Sequence, residues 1–131
     1  MTTQATQQAP ADWPGSLPEY LCYQALIRLG KRDGLDFTFQ SPLMGGRLQK
    51  GGVVIDFLFS DPPDLAINVQ GVYYHYGMGR EVRGRDIIGR EQLAMQGLTL
   101  IFIDEDDLIE DARYYVSQAL EYRDHSRLSR G

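Results

Sequence analysis

One carboxylate stands where a polar residue is least expected. Asp56 interrupts the run Val53-Val54-Ile55-Asp56-Phe57-Leu58-Phe59 and is apolar-flanked on both sides. A β-branched and aromatic segment of this kind reads as a strand buried along nearly all its length. Inside such a strand a charged group is costly unless it is paired or coordinates an ion. Asp56 is therefore read as a site residue in preference to one half of a structural ion pair. The chemistry it offers on its own is that of a carboxylate oxygen paired with a cation or coordinating one.

Further residues along the chain carry chemistry of the same kind. His75 lies among Tyr73, Tyr74 and Tyr76. It is either a proton carrier or a packed, hydrogen-bonded histidine, and the tyrosines either stack on exposed bases or pack in a core or interface. Arg80, Arg83, Arg85 and Arg90 follow closely. They are the best phosphate-contact candidates in an acidic chain, with ion pairs to Glu81, Asp86 and Glu91 as the other reading. Lys31, Arg32, Arg47 and Lys50 make looser basic spots. The run Asp104-Glu105-Asp106-Asp107 is read as the favourable charge at a helix start, not as a metal site. Cys22, the single cysteine, falls on an apolar helix face and is read as a small core residue.

The elements that must hold these groups are legible from spacing. Ser16-Leu17-Pro18-Glu19 is a capping box with proline in the first turn. Cys22, Ala25, Leu26 and Leu29 then repeat at helical spacing up to Gly30, which ends the helix. Strands are expected at Phe37–Gln40, Val53–Phe59 and Leu65–Gln70, the glycine pairs at 45–46 and 51–52 being turns. A helix from about Arg85 to Gln96 stops at Gly97, an apolar strand covers Leu98–Ile103, and Leu108 to Leu120 forms a last amphipathic helix. The order α-β-β-β-α-β-α implies a mixed sheet flanked by helices.

Composition narrows the classes. The chain has 131 residues, 43% hydrophobic and 24% charged, which fits one globular domain with its own core. One cysteine permits no internal disulfide, so a cytoplasmic or virion-associated protein is expected. No apolar run has the length of a membrane span, and no signal peptide is read at the N-terminus. A net charge of −5 argues against bulk-charge coating of nucleic acid, but leaves room for a local basic groove. Residues 1–15 read as a polar N-terminal arm in which Trp13 is the anchoring residue, 16–122 as the domain and 123–131 as a basic polar tail. A nucleotide- or sugar-binding domain is set aside, because no phosphate-cradling glycine loop follows a strand.

The element order, with Glu19 in the first helix, Ile55-Asp56-Phe57, the segment Ile67-Asn68-Val69-Gln70-Gly71-Val72-Tyr73-Tyr74-His75, and then Asp86, Arg90, Leu93 and Gly97, resembles the PD-(D/E)xK nuclease superfamily. Within it the local sequence narrows the likeness to the very-short-patch-repair endonucleases and their small relatives, over roughly residues 16–120. The resemblance implies a restriction-endonuclease-like αβββαβα core and Mg²⁺ or Mn²⁺ as cofactor. It implies catalytic positions at Asp56, Asn68, Gln70 and His75, with Asp56 and Asn68 as metal ligands and DNA as partner. The superfamily pattern has a carboxylate where this chain has Asn68, and usually a lysine where it has Gln70. On the repair-endonuclease template the Val69 carbonyl also stands near the metal. Two functions are carried forward. One is a DNA-binding, metal-dependent endonuclease with an atypical site. The other is an inactive nuclease fold reused as a structural or adaptor protein, in a phage virion or another assembly, with the arm gripping a partner or a second copy.

Overall fold

Both halves of the capping box form at the start of α1 (Leu17–Arg28). The Ser16 hydroxyl accepts from Glu19 N at 3.2 Å, and the Glu19 carboxylate accepts from Ser16 N at 2.7 Å. At the other end Gly30 N donates to the Ile27 carbonyl and Lys31 N to that of Leu26, with Gly30 at φ +92°. That pair of bonds closes a helix through a left-handed residue, so glycine belongs one position beyond the cap residue Leu29. In this computed structural model residues 8–39, 48–50, 53–71 and 80–130 are described, with the backbone alone for 48–50, 53, 80–83 and 130.

Among the described residues ten elements run in order: α1, β1 (Phe37–Phe39), β2 (Leu48–Lys50), β3 (Val53–Ile55), β4 (Phe57–Phe59), β5 (Leu65–Gln70), α2 (Arg80–Met95), β6 (Thr99–Asp104), α3 (Glu105–Ala119) and the single turn α4 (Arg127–Arg130). The main sheet has the order β1-β4-β5-β6, antiparallel except for the β5–β6 pair. The parallel pair is joined through α2, as a crossover helix requires. The expected mixed sheet flanked by helices is therefore present.

The strand expected over Val53–Phe59 is not one strand. It divides at Asp56 into β3, which pairs with β2 in a separate antiparallel ribbon, and β4, which pairs with β1 and β5. The ribbon strands lie between and after the two glycine pairs read as turns, and both pairs, 45–46 and 51–52, lie outside the described residues. Helix α2 begins at Arg80, earlier than periodicity suggests. Gly97, at φ +85°, ends it with the same bond pair seen at Gly30, from Gly97 N to Ala94 O and from Leu98 N to Leu93 O.

Period-two alternation sorts the sheet into two faces. Phe57, Phe59, Leu65, Ile67, Ile101 and Ile103 pack with Cys22, Ala25 and Leu26 of α1 and with Leu108, Val116 and Ala119 of α3. Ala66, Leu100 and Phe102 face the other way, with Leu93 of α2 and Leu128 of α4. Asn68 and Gln70 belong to this second face by alternation with Ile67, and so look toward α2. Helix α3 contains a break: Asp111 is non-helical, and its carboxylate accepts from Tyr114 N to restart the helix.

Both ends of the described part of the chain are tied in. Trp13, the expected anchor of the arm, stacks on Phe39 at 4.9 Å, meets Tyr20 and Tyr23, and donates to the Ser16 carbonyl. Residues 1–7 of the arm lie outside the described residues. The segment read as a polar tail is docked as far as it is described: Leu128 is buried, and Asp124 accepts from Phe102 N along the outer edge of β6. That contact gives an edge strand a partner for its unpaired backbone.

Candidate functional site

The register of β4 against β5 pairs Leu58 with Ala66 and Phe57 with Ile67. The next pair in that register is Asp56 with Asn68, and there the ladder stops because β3 turns away into its own ribbon. Side chains replace the lost ladder. Asn68 Oδ1 accepts from Asp56 N at 2.7 Å, and Asn68 Nδ2 donates to the Val54 carbonyl at 2.8 Å. In return Asp56 Oδ2 accepts from Val69 N at 2.9 Å. A primary amide presents one acceptor and a pair of donors, so Asn68 can serve both sides of the break as a peptide group would. Asp56 is half-buried at the kink and not sealed within a strand.

This break opens onto a cleft of about 400 Å³ between the sheet, α2 and the start of α1. Glu19, Val54, Asp56, Asn68, Val69, Gln70, Arg85, Asp86, Gly89 and Phe102 line it. Three of the four expected catalytic positions thus meet at one opening. His75, the fourth, lies outside the described residues. Of the four arginines, Arg85 is exposed and lines the cleft. Arg90 serves the packing of the chain end instead. It donates to Ser129 Oγ at 2.7 Å, stands 3.8 Å from Asp124, and lies over the Phe102 ring. The side chains of Arg80 and Arg83 are not among those described.

Two cleft carboxylates are not among the expected catalytic positions. The cap expected of Glu19 is present, but the same side chain also lines the cleft. Gly15 makes room for it: a Cβ there would stand 2.6 Å from Glu19 Oε1 and 3.1 Å from both the Phe39 ring and Trp13 Nε1. Asp86 reads from sequence as an ion-pair partner and as part of the helix motif. It accepts from Gln70 Nε2 at 3.0 Å, and Gln70 is buried, with an exposure of 2%. A buried amide needs such a partner. The signal for Asp86 is its spacing on α2, where Asp86 and Gly89 line the cleft and Leu93 is buried beneath.

Below the cleft, burial first and then the charges of Asp56 and Glu19 push the Cys22 thiol far up, so this cysteine stays protonated and inert. The acidic run at the start of α3 is a separate matter. Asp104, Asp106 and Asp107 are the described carboxylates whose oxygens lie within 4.8 Å of one another; those of Glu19, Asp56 and Asp86 are not all so close. Asp104 makes no side-chain cap bond to α3 and instead accepts from Arg127 N and Nη1, while Asp106 accepts from both Nη1 and Nη2 of Arg127. The role expected for this run, helix capping, holds for its position but not for the Asp104 bonds.

Comparison with protein families, with characterised proteins and with solved structures finds no match to this chain. Among the described residues no helix is long and apolar enough to cross a membrane.

Proposed function

We propose that this chain is a nuclease-like domain of the PD-(D/E)xK kind, with a restriction-endonuclease-like core, that binds DNA and hydrolyses phosphodiesters with a divalent cation. The observation that carries the reading is the convergence of Asp56, Asn68 and Gln70, with Glu19, Asp86 and Arg85, on one open cleft.

The donor set fits Mg²⁺ or Mn²⁺ of the sparsely ligated kind. Mg²⁺ keeps several waters and is commonly held by one or two carboxylates together with substrate phosphate. Asp56 supplies the anionic oxygen at the strand break, and Glu19 and Asp86 line the same cleft from two helices. When bound, the cation supplies Lewis acidity at a phosphate oxygen and a more acidic water. The chain's own residues do the rest. Val69 N fixes the Asp56 carboxylate, Gln70 fixes Asp86, and Arg85 offers a bidentate donor to a phosphate at the open side. His75 is the sequence's candidate for proton transfer.

The second reading, an inactive fold serving as an adaptor, is favoured by one observation: Asn68 and Gln70 spend their amides on bonds within the protein. Cleavage of supercoiled plasmid and of single-stranded DNA, with Mg²⁺ or Mn²⁺, separates the two. Cutting by the native chain that is lost in Asp56→Ala supports the enzyme. No cutting with either metal, together with no metal binding by calorimetry, leaves the adaptor.

A further inference from the structure

Asn68 and Gln70 share a chemical type and a geometrical role. Each is an amide, each donates its NH₂ group inside the cleft wall, and each of these bonds bears on a carboxylate-bearing segment. Asn68 grips the backbone on both sides of the kink, accepting from Asp56 N at 2.7 Å and donating to Val54 O at 2.8 Å. It thereby fixes the direction in which Asp56 leaves the chain. Gln70 is buried and donates at 3.0 Å to Asp86 Oδ2, which ties α2 to the end of β5. Both bonds require an N–H donor, which an ionised carboxylate lacks. An aspartate at position 68 would lose the bond to Val54 O and set a second negative charge against Asp56, where like charges disfavour ionisation. A lysine at position 70 would place an ammonium in a nearly closed site and convert the neutral-donor contact with Asp86 into an ion pair.

We infer that Asn68 and Gln70 are positioning residues rather than metal ligands, and that the two acidic groups they position, Asp56 from the strand break and Asp86 from α2, are the pair that serves the cation. This rests on the proposed function and deepens it: the second carboxylate of the site comes from the helix and not from β5. The inference reverses the simple expectation about variants. Adding a carboxylate with Asn68→Asp weakens the site instead of strengthening it.

The test is a titration of the full chain with Mn²⁺ alone, followed by the electron paramagnetic resonance signal of free Mn²⁺, with circular dichroism to verify folding. The native chain binds. Asn68→Asp, Gln70→Lys and Asp86→Asn each lose about tenfold or more in affinity, the size of effect seen when groups orienting a metal ligand are removed. Gln70→Asn, which keeps the amide on a shorter arm, recovers less than the native chain and more than Gln70→Lys. Gln70→Lys and Asp86→Asn keep the inference testable should Asn68→Asp fail to fold. Tighter Mn²⁺ binding by Asn68→Asp, or unchanged binding by Asp86→Asn, overturns the inference while leaving a cation at Asp56. Absence of binding by the native chain overturns the cation reading itself, and this inference with it.

Discussion

Two groups of three carboxylates lie beside the neighbouring strands β5 and β6, and they are treated in opposite ways. Gln70, at the cleft, and Asp104, in the acidic run, are register partners on β5 and β6. Asp104, Asp106 and Asp107 lie close together and are consecutive or nearly so in sequence, yet Arg127 holds two of them with its guanidinium. Glu19, Asp56 and Asp86 come from three distant segments and are more widely spaced, yet they border an open cleft and are held there by backbone N–H groups and an amide. On the proposed reading, density of negative charge is a poor guide to a cation site. What matters is whether a protein cation has already taken the charge.

The comparison can be broken most forcefully at Arg127. Arg127→Ala takes the ion pair from the fully buried Asp104 and leaves it the backbone donor of residue 127. We expect a loss of about 2–3 kcal/mol in urea unfolding, below the value for a wholly buried pair because solvent reaches the guanidinium. A loss under about 0.5 kcal/mol, within the range of an ordinary surface substitution, would show that Arg127 does not neutralise the run.

Acid unfolding sharpens the same point. Hydrogen bonds from Arg127, with its charge, hold the Asp106 carboxyl below its ordinary value of 3.8. A carboxyl lowered in the folded state adds stability that is fully present above the ordinary value and is lost as pH falls through the lower folded one. The native chain should therefore lose more stability than Arg127→Ala between about pH 5 and pH 2. The Arg32–Asp36 pair acts with the same sign in both proteins and cancels in the difference. Equal slopes for the two proteins would remove Asp106 from the account.

On the cleft side the smaller effects are local. Ser16→Ala should lose about 1 kcal/mol by releasing the helix cap. Alanine keeps the backbone N–H from which the Glu19 carboxylate accepts, so Mn²⁺ binding should stay as in the native chain; binding that falls in this variant would tie the cap itself to the cation site. Gly97→Ala places a side chain at φ +85° and should lose about 1 kcal/mol in thermal unfolding, with binding unchanged.

The framework is readable because its signals are local. A capping box, glycines just past two helices, and the alternation of Leu65–Gln70 each depend on residues a few positions apart. The site is only half readable for the complementary reason. Asp56 announces itself by being charged in an apolar run, but the break at that position depends on Asn68, whose role appears only when β5 lies beside β4. Asp86 looks like one more charge on a solvated helix, since nothing along the sequence joins it to a buried glutamine on another element. Arg90 misleads in the opposite sense: its place in an arginine cluster suggests phosphate, whereas the fold sets it against Ser129, Asp124 and Phe102.

The most direct measurement of the central claim is calorimetric titration of Mn²⁺ into the native chain, Asp56→Asn and Asp107→Asn. If the cleft is the cation site, Asp56→Asn abolishes the binding isotherm and Asp107→Asn leaves it as in the native chain. Binding that survives in Asp56→Asn and disappears in Asp107→Asn would place the cation in the acidic run and contradict the account.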